Sequence, residues 1–181
     1  MSRQVFDFAE PERFVVGTVG MPGERTFFLQ ARAGSQIISV VLEKQQVAAL
    51  ADRLEQILSV VEGLSAAFPQ EVDDRPLELP IFEEFRVGTL ALGWDDDAQK
   101  LVIEAYAVSD DTDEEVPDIG DDDENGVDTL RVRLTVDQGR AFILRARTMV
   151  NSGRPACPFC GQPLDPSGHI CPRANGFRRR S

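Results

Sequence analysis

Apolar positions along the chain alternate between a period of two and a period near 3.6. Phe14 to Val19, Thr26 to Ala31 and Gln36 to Leu42 are short runs rich in β-branched and aromatic residues. Met21-Pro22-Gly23-Glu24 and Ala33-Gly34-Ser35 stand between them as turn formers, so the runs predict strands joined as hairpins. Val47, Leu50, Leu54, Ile57, Val61 and Leu64 then recur at steps of three and four, with Gly63 near the stop. That spacing predicts an amphipathic helix whose stripe covers a sheet. The same order returns further on. Phe85 to Trp94, Lys100 to Val108 and Thr129 to Thr135 read as strands, and Arg131 and Arg133 alternate with Val132 and Leu134 as on a half-buried strand. Thr135 and Gln138 have the spacing of a capping box, ahead of Phe142, Ala146 and Met149 on the inner face of a second helix.

The likeness between the two stretches extends to the residues. Phe14-Val15-Val16-Gly17-Thr18-Val19 matches Phe85-Arg86-Val87-Gly88-Thr89-Leu90, and Leu29-Gln30-Ala31 matches Ile103-Glu104-Ala105. Val40-Val41-Leu42 with Gln46 and Ala49 matches Val132-Arg133-Leu134 with Gln138 and Ala141. Three collinear blocks predict an α+β fold of two pseudo-repeated β-β-β-α units, copies at about 14–64 and 85–150, within a duplicated domain spanning 1–153. Short hairpins make the sheet mainly antiparallel. A leading strand over Gln4 to Phe8 puts Phe6 and Phe8 on one face. Phe68 to Phe82, with Pro69, Pro76 and Pro80 amid acids, reads as an extended linker whose Leu77, Leu79 and Ile81 dock as an edge segment.

Charge divides the chain differently. The net charge is −12, but residues 154–181 carry +4 and residues 1–153 carry −16, so an acidic body ends in a basic tail. Asp110 to Asp128 holds eleven acids and no Lys or Arg, which predicts a flexible loop over 109–128. An acidic surface opposes chain-wide binding to nucleic acid or anionic membrane. No apolar run reaches the length of a bilayer span, and Arg3, Asp7, Glu10 and Arg13 interrupt the start where a signal sequence is apolar. These features predict an acidic protein of the cytoplasm.

Chemistry is concentrated at the end. All three cysteines and the one histidine fall between residues 157 and 171. Cys157-Pro158-Phe159-Cys160-Gly161 is a knuckle that aims two thiolates at one point, and His169-Ile170-Cys171 supplies the second pair after an excursion rich in turn formers. Cys157, Cys160, His169 and Cys171 together have the number and softness of a closed tetrahedral zinc site. A disulfide would leave one thiol over, and a redox pair needs the start of a helix, which a turn-rich tail does not supply. With four protein ligands, the predicted role is structural, and residues 154–181 form a zinc knuckle with a basic tail.

The ending from Cys157 through His169-Ile170-Cys171 to Arg179, with the opening Phe6-Asp7-Phe8 and Phe14-Val15-Val16-Gly17-Thr18-Val19-Gly20, resembles an actinobacterial family catalogued as domain of unknown function 3090. The resemblance covers the whole chain and implies no catalytic residue, substrate or activity.

Three functions are in contention. A non-catalytic adaptor or regulator would bind a protein partner, with Arg173, Arg178, Arg179 and Arg180 as contacts beside the metal. A nucleic-acid binder would use the same arginines with Phe159 or Phe177 stacking on a base, against the repulsion of the acidic body. An enzyme lacks a free histidine or cysteine, a phosphate loop or a nucleophile elbow, since Gly17-Thr18-Val19-Gly20 has no following Lys or helix. Asp95-Asp96-Asp97 and Asp121-Asp122-Asp123 read as solvated acids in place of a cation site. The adaptor is the expected reading, with no catalytic residues and no cofactor beyond structural zinc.

Overall fold

The computed structural model describes residues 2–21, 23–62, 71–110, 117–152, 157–162, 164 and 169–171. Seven strands and two helices follow the order β1 (Val5–Phe8), β2 (Arg13–Val19), β3 (Thr26–Ala33), β4 (Gln36–Leu42), α1 (Lys44–Glu62), β5 (Glu83–Asp95), β6 (Lys100–Ala107), β7 (Thr129–Leu134) and α2 (Val136–Asn151). They form an α+β fold with one mixed sheet in the order β1-β7-β6-β5-β4-β3-β2. β2-β3-β4 and β5-β6-β7 are antiparallel meanders, each followed by a helix, and they join through a parallel β4–β5 pair. The leading strand is present as β1, parallel to β7.

Alternation sets the two faces of the sheet. Val16, Leu29, Val40, Ile103 and Val132 point to one side and meet the buried stripes of the helices: Val47, Leu50, Ala51, Leu54 and Leu58 of α1, and Phe142, Ile143 and Ala146 of α2. The α1 stripe is rotated slightly from the predicted one, because Leu58 is buried while Val61 is exposed; Gly63 and Leu64 lie outside the described residues. Phe14 stacks on Phe142 at 4.9 Å between centroids, which fixes α2 against β2. Four residues, 9–12, connect β1 on one edge to β2 on the other. Even fully extended they bridge no more than about 18 Å. Six strand spacings in a flat sheet are about 29 Å. The sheet therefore curls, and α2 touches β2 as well as β6 and β7.

The opposite face is covered by chain without regular structure, which departs from the sequence-based expectations. Residues 71–78 form a strap and not an edge segment: Leu77 is buried over Gly17, where a Cβ would lie 2.5 Å from Leu77 Cγ, while Leu79 is exposed. Arg13 donates to both carboxylate oxygens of Asp73 and to the carbonyls of Arg75 and Pro76, and the Gln30 side chain bonds both N–H and C=O of Glu78. The second half of the acidic stretch is likewise held to the body. Gly120 N–H donates to Glu104 at 3.1 Å, Arg131 to Asp122 at 3.0 Å and Arg3 to the Asp123 carbonyl at 2.9 Å. Residues 111–116 lie outside the described residues.

Candidate metal centre

The knuckle is built locally. Cys157 and Gln162 bracket the turn: Cys157 N–H donates to the Gln162 carbonyl at 2.7 Å, and Gly161 N–H to the Cys157 carbonyl at 2.8 Å. Gly161 has φ +74°, the left-handed conformation in which a side chain is strained, so the glycine after the second cysteine is what lets the turn close. The backbone N–H groups of Cys160 and Phe159 point at the Cys157 sulfur and bring its thiol down to about 6, which favours the thiolate that a metal requires. At Cys160 the N–H of Gln162 acts in the same direction, but burial and the neighbouring sulfurs of Cys171 and Cys157 prevail and push that thiol up. Crowded sulfurs of this kind are relieved by a cation between them.

His169 and Cys171 complete the set. The ligand atoms of Cys157, Cys160, His169 and Cys171 all lie within 4.8 Å of one another. Cys157 Sγ is 3.8 Å from Cys171 Sγ, and Cys160 Sγ is 3.1 Å from His169 Nε2. A tetrahedron with metal–sulfur bonds of about 2.3 Å has sulfur–sulfur edges of about 3.8 Å, so the sulfur pair already stands at ligand separation. The single residue between His169 and Cys171 is accommodated by the reach of the imidazole. All three cysteines are free of disulfides, and this is the one cluster of metal-ligating side chains among the described residues. Cys157 and Cys171 are buried, whereas Phe159 and Ile170, which intervene between ligands, are 63% and 83% exposed. Arg173, Arg178, Arg179 and Arg180 lie outside the described residues, as do Arg154 and Phe177.

Other polar groups gather for different reasons. Arg131, expected on a half-buried strand, is 5% exposed and pairs with the fully buried Glu104, which also accepts from the Tyr106 hydroxyl. Burial and that bond to Glu104 push the tyrosine up; burial works against the Arg131 charge, but Glu104 and Asp122 outweigh it and raise the guanidinium. A hollow of about 630 Å³ lies beside Arg13, Asp73, Arg75, Gln138 and Arg145. Its buried cations are already engaged, since Arg145 donates to the carbonyls of Val16 in β2 and Asp73 in the strap, and Arg13 to the Asp73 carboxylate. Asp121-Asp122-Asp123, read from sequence as solvated acids without alternate spacing, belong to an alternate set of Asp121, Asp123 and Asn125 before Gly126. The Asp121 carboxylate accepts from Asp123 N–H and that of Asp123 from Asn125 N–H, each at 3.0 Å.

Among the described residues, no helix is long and apolar enough to cross a membrane. The family model described as Protein of unknown function (DUF3090) matches residues 6–171. No curated protein and no solved structure matches the chain.

Proposed function

The chain belongs to the DUF3090 family, and from that premise we propose that it is a non-catalytic, zinc-containing adaptor or regulator that binds a protein partner in the reducing cytoplasm. The observation that carries this reading is the exposure of Phe159 and Ile170 on a closed Cys3His set. Four ligands leave no position for a substrate or water, so the ion's chemistry there is structural: it supplies folding free energy to a segment too short for its own core. Two large apolar side chains presented on such a rigid turn are what a partner protein would bury. Arg173, Arg178, Arg179 and Arg180 follow Cys171 in sequence and add positive charge, suited to an acidic partner. The β-β-β-α runs are read as copies of one unit, and superposing the backbones of 13–62 and 83–151 tests that reading.

Elemental analysis of purified protein should give about one zinc per chain, lost in Cys157→Ser and Cys171→Ser. The double variant Phe159→Ser/Ile170→Ser should keep its zinc and lose a defined protein that wild type recovers from native lysate. Nuclease-sensitive recovery of RNA or DNA would favour nucleic-acid binding instead, and metal content unaffected by the cysteine changes would remove the site.

A further inference from the structure

The two helices begin alike, and each runs beside a strand. Gln46 accepts from Glu43 N–H and donates to the carbonyls of Val87 and Gly88, while Gln138 accepts from Thr135 N–H and donates to the Pro11 carbonyl. The glutamines thus tie the start of α1 to β5 and the start of α2 to the entry of β2. Seven residues after its glutamine, each helix carries an arginine, Arg53 in α1 and Arg145 in α2.

The two grooves so formed differ in what fills them. The strap lies against the groove of α2 and β2. Arg145, 4% exposed, donates to the Val16 carbonyl of β2 at 2.6 Å and to the Asp73 carbonyl, joining the main chain of a strand to that of an irregular segment laid beside it. Between α1 and β5 there are instead two hollows of about 300 and 760 Å³ that meet at Arg53 and Leu92. Arg53 is exposed, and among the described residues it has no acidic partner and reaches only Gln56 of its own helix, at 3.4 Å.

β5 leaves its main chain open along this second groove. β4 pairs with it only at Ser39–Glu83 and Val41–Arg86, whereas β6 accompanies it from Val87 to Asp95. Ala107 turns away from β5, donating to the Asp128 carbonyl. By alternation Tyr106, Glu104 and Val102 turn to β5, where they face Thr89, Ala91 and Gly93. The N–H and C=O groups of Leu90, Leu92 and Trp94 are thereby directed at the groove, where no described residue bonds them. Their side chains are half-buried against the core, and α1 adds Ile57 and the 83% exposed Val60 to the wall. From Gly88 to Trp94 there is no charge and no proline, the usual devices against strand pairing.

We propose that this groove binds an extended segment of a partner protein, added to β5 as a strand with apolar side chains at alternate positions. The residue opposite Leu90 enters the smaller hollow and the residue opposite Trp94 the larger, beside Ile57 and Val60. Arg53 donates to the segment's main-chain carbonyls as Arg145 does to the strap's, so recognition rests on backbone and apolar spacing. Gln46 closes the groove at Gly88 and α1 stands along it, which admits a single chain and not the edge of a second folded sheet. The inference is independent of the zinc reading, since none of these residues belongs to 157–171.

Hydrogen exchange on the full chain gives the first test. The amides of Leu90, Leu92 and Trp94 should exchange at least about 100-fold faster than those of Ala91 and Gly93, which β6 holds. Equal protection overturns the proposal: protection that rises with concentration means that a second copy covers the edge, and protection independent of concentration means that the chain covers it itself. Random octapeptides displayed on phage and selected on the full chain give the second test, with the strongest binder synthesised. It should bind with a Kd of about 1–100 μM and slow exchange at Leu90, Leu92 and Trp94. N-methylation should abolish binding at every second amide of the peptide and be tolerated at the others, because only alternate N–H groups face β5. Arg53→Glu, on the exposed surface of α1, should weaken the peptide about 10-fold or more. No binder below about 1 mM, or a binder indifferent to both changes, overturns the proposal.

Discussion

The sheet body and the Cys/His knuckle are held by opposite means. In the body, side chains far apart in sequence converge because alternation and helical period bury them together, and the buried polar groups are paired within that frame. In the knuckle, four side chains within fifteen residues converge because turns aim them, and among the described residues there the large apolar side chains Phe159 and Ile170 are exposed. The body should therefore yield gradually to single substitutions, whereas the knuckle should be lost outright with one ligand.

The sharpest test is of the proposed metal. If one is bound, chelation or Cys171→Ser should separate Cys157 and Cys160 from His169 and Cys171, a loss of order 10 kcal/mol locally. The body's melting temperature should move by less than about 3 °C. Amide exchange read separately over 157–171 and over the strands checks this, and a body that melts with the metal would erase the contrast.

Within the body, Glu104→Ala removes the buried partner of Arg131 and leaves it only the more exposed Asp122 and Asp7, and urea denaturation should show a loss of about 3–5 kcal/mol. The ion pair is the knuckle's counterpart in the body, on the sheet face opposite the core.

Asp73→Asn should cost less, about 1–3 kcal/mol, because the carboxylate is partly exposed. Burial works against its charge, but hydrogen bonds from Arg13 and Arg75 prevail and hold its carboxyl well below the ordinary 3.8. A depressed folded value means that the stabilisation is fully present above about pH 4 and is lost as pH falls through the folded value. Thermal melts of wild type should fall more steeply below about pH 4 than those of Asp73→Asn. Equal acid limbs would show that the strap draws nothing from this pair.

The smallest effect belongs to the α2 cap. Thr135 accepts from Gln138 N–H at 3.2 Å while the Gln138 side chain accepts from Thr135 N–H at 3.0 Å. Thr135→Ala should cost about 1 kcal/mol by chemical denaturation, with the knuckle's metal content unchanged.

What could be read in advance follows from range. The capping box is a matter of three residues, and the meanders and helices of a few turns, so Thr135–Gln138, the hairpins and α2's Phe142 and Ala146 are visible in local pattern. The Cys/His cluster that could hold a metal is legible for the same reason, since soft donors at short spacing declare their geometry before any core exists. The chain as a sequence thus determines its elements, the knuckle and the acidic and basic division. The parallel joins of β4 to β5 and β1 to β7 arise only when distant strands meet. The burial of Arg131 is equally tertiary: alternation places it opposite the core, but the covering segment around Gly120 and Asp122 comes from elsewhere and makes that face a second interior. β5 runs on past its pairing with β4 at Val41–Arg86, a difference of length between strands that no residue in either one encodes alone. Local propensity acts within a few residues, whereas burial and pairing depend on which surfaces remain to be covered after the sheet has formed.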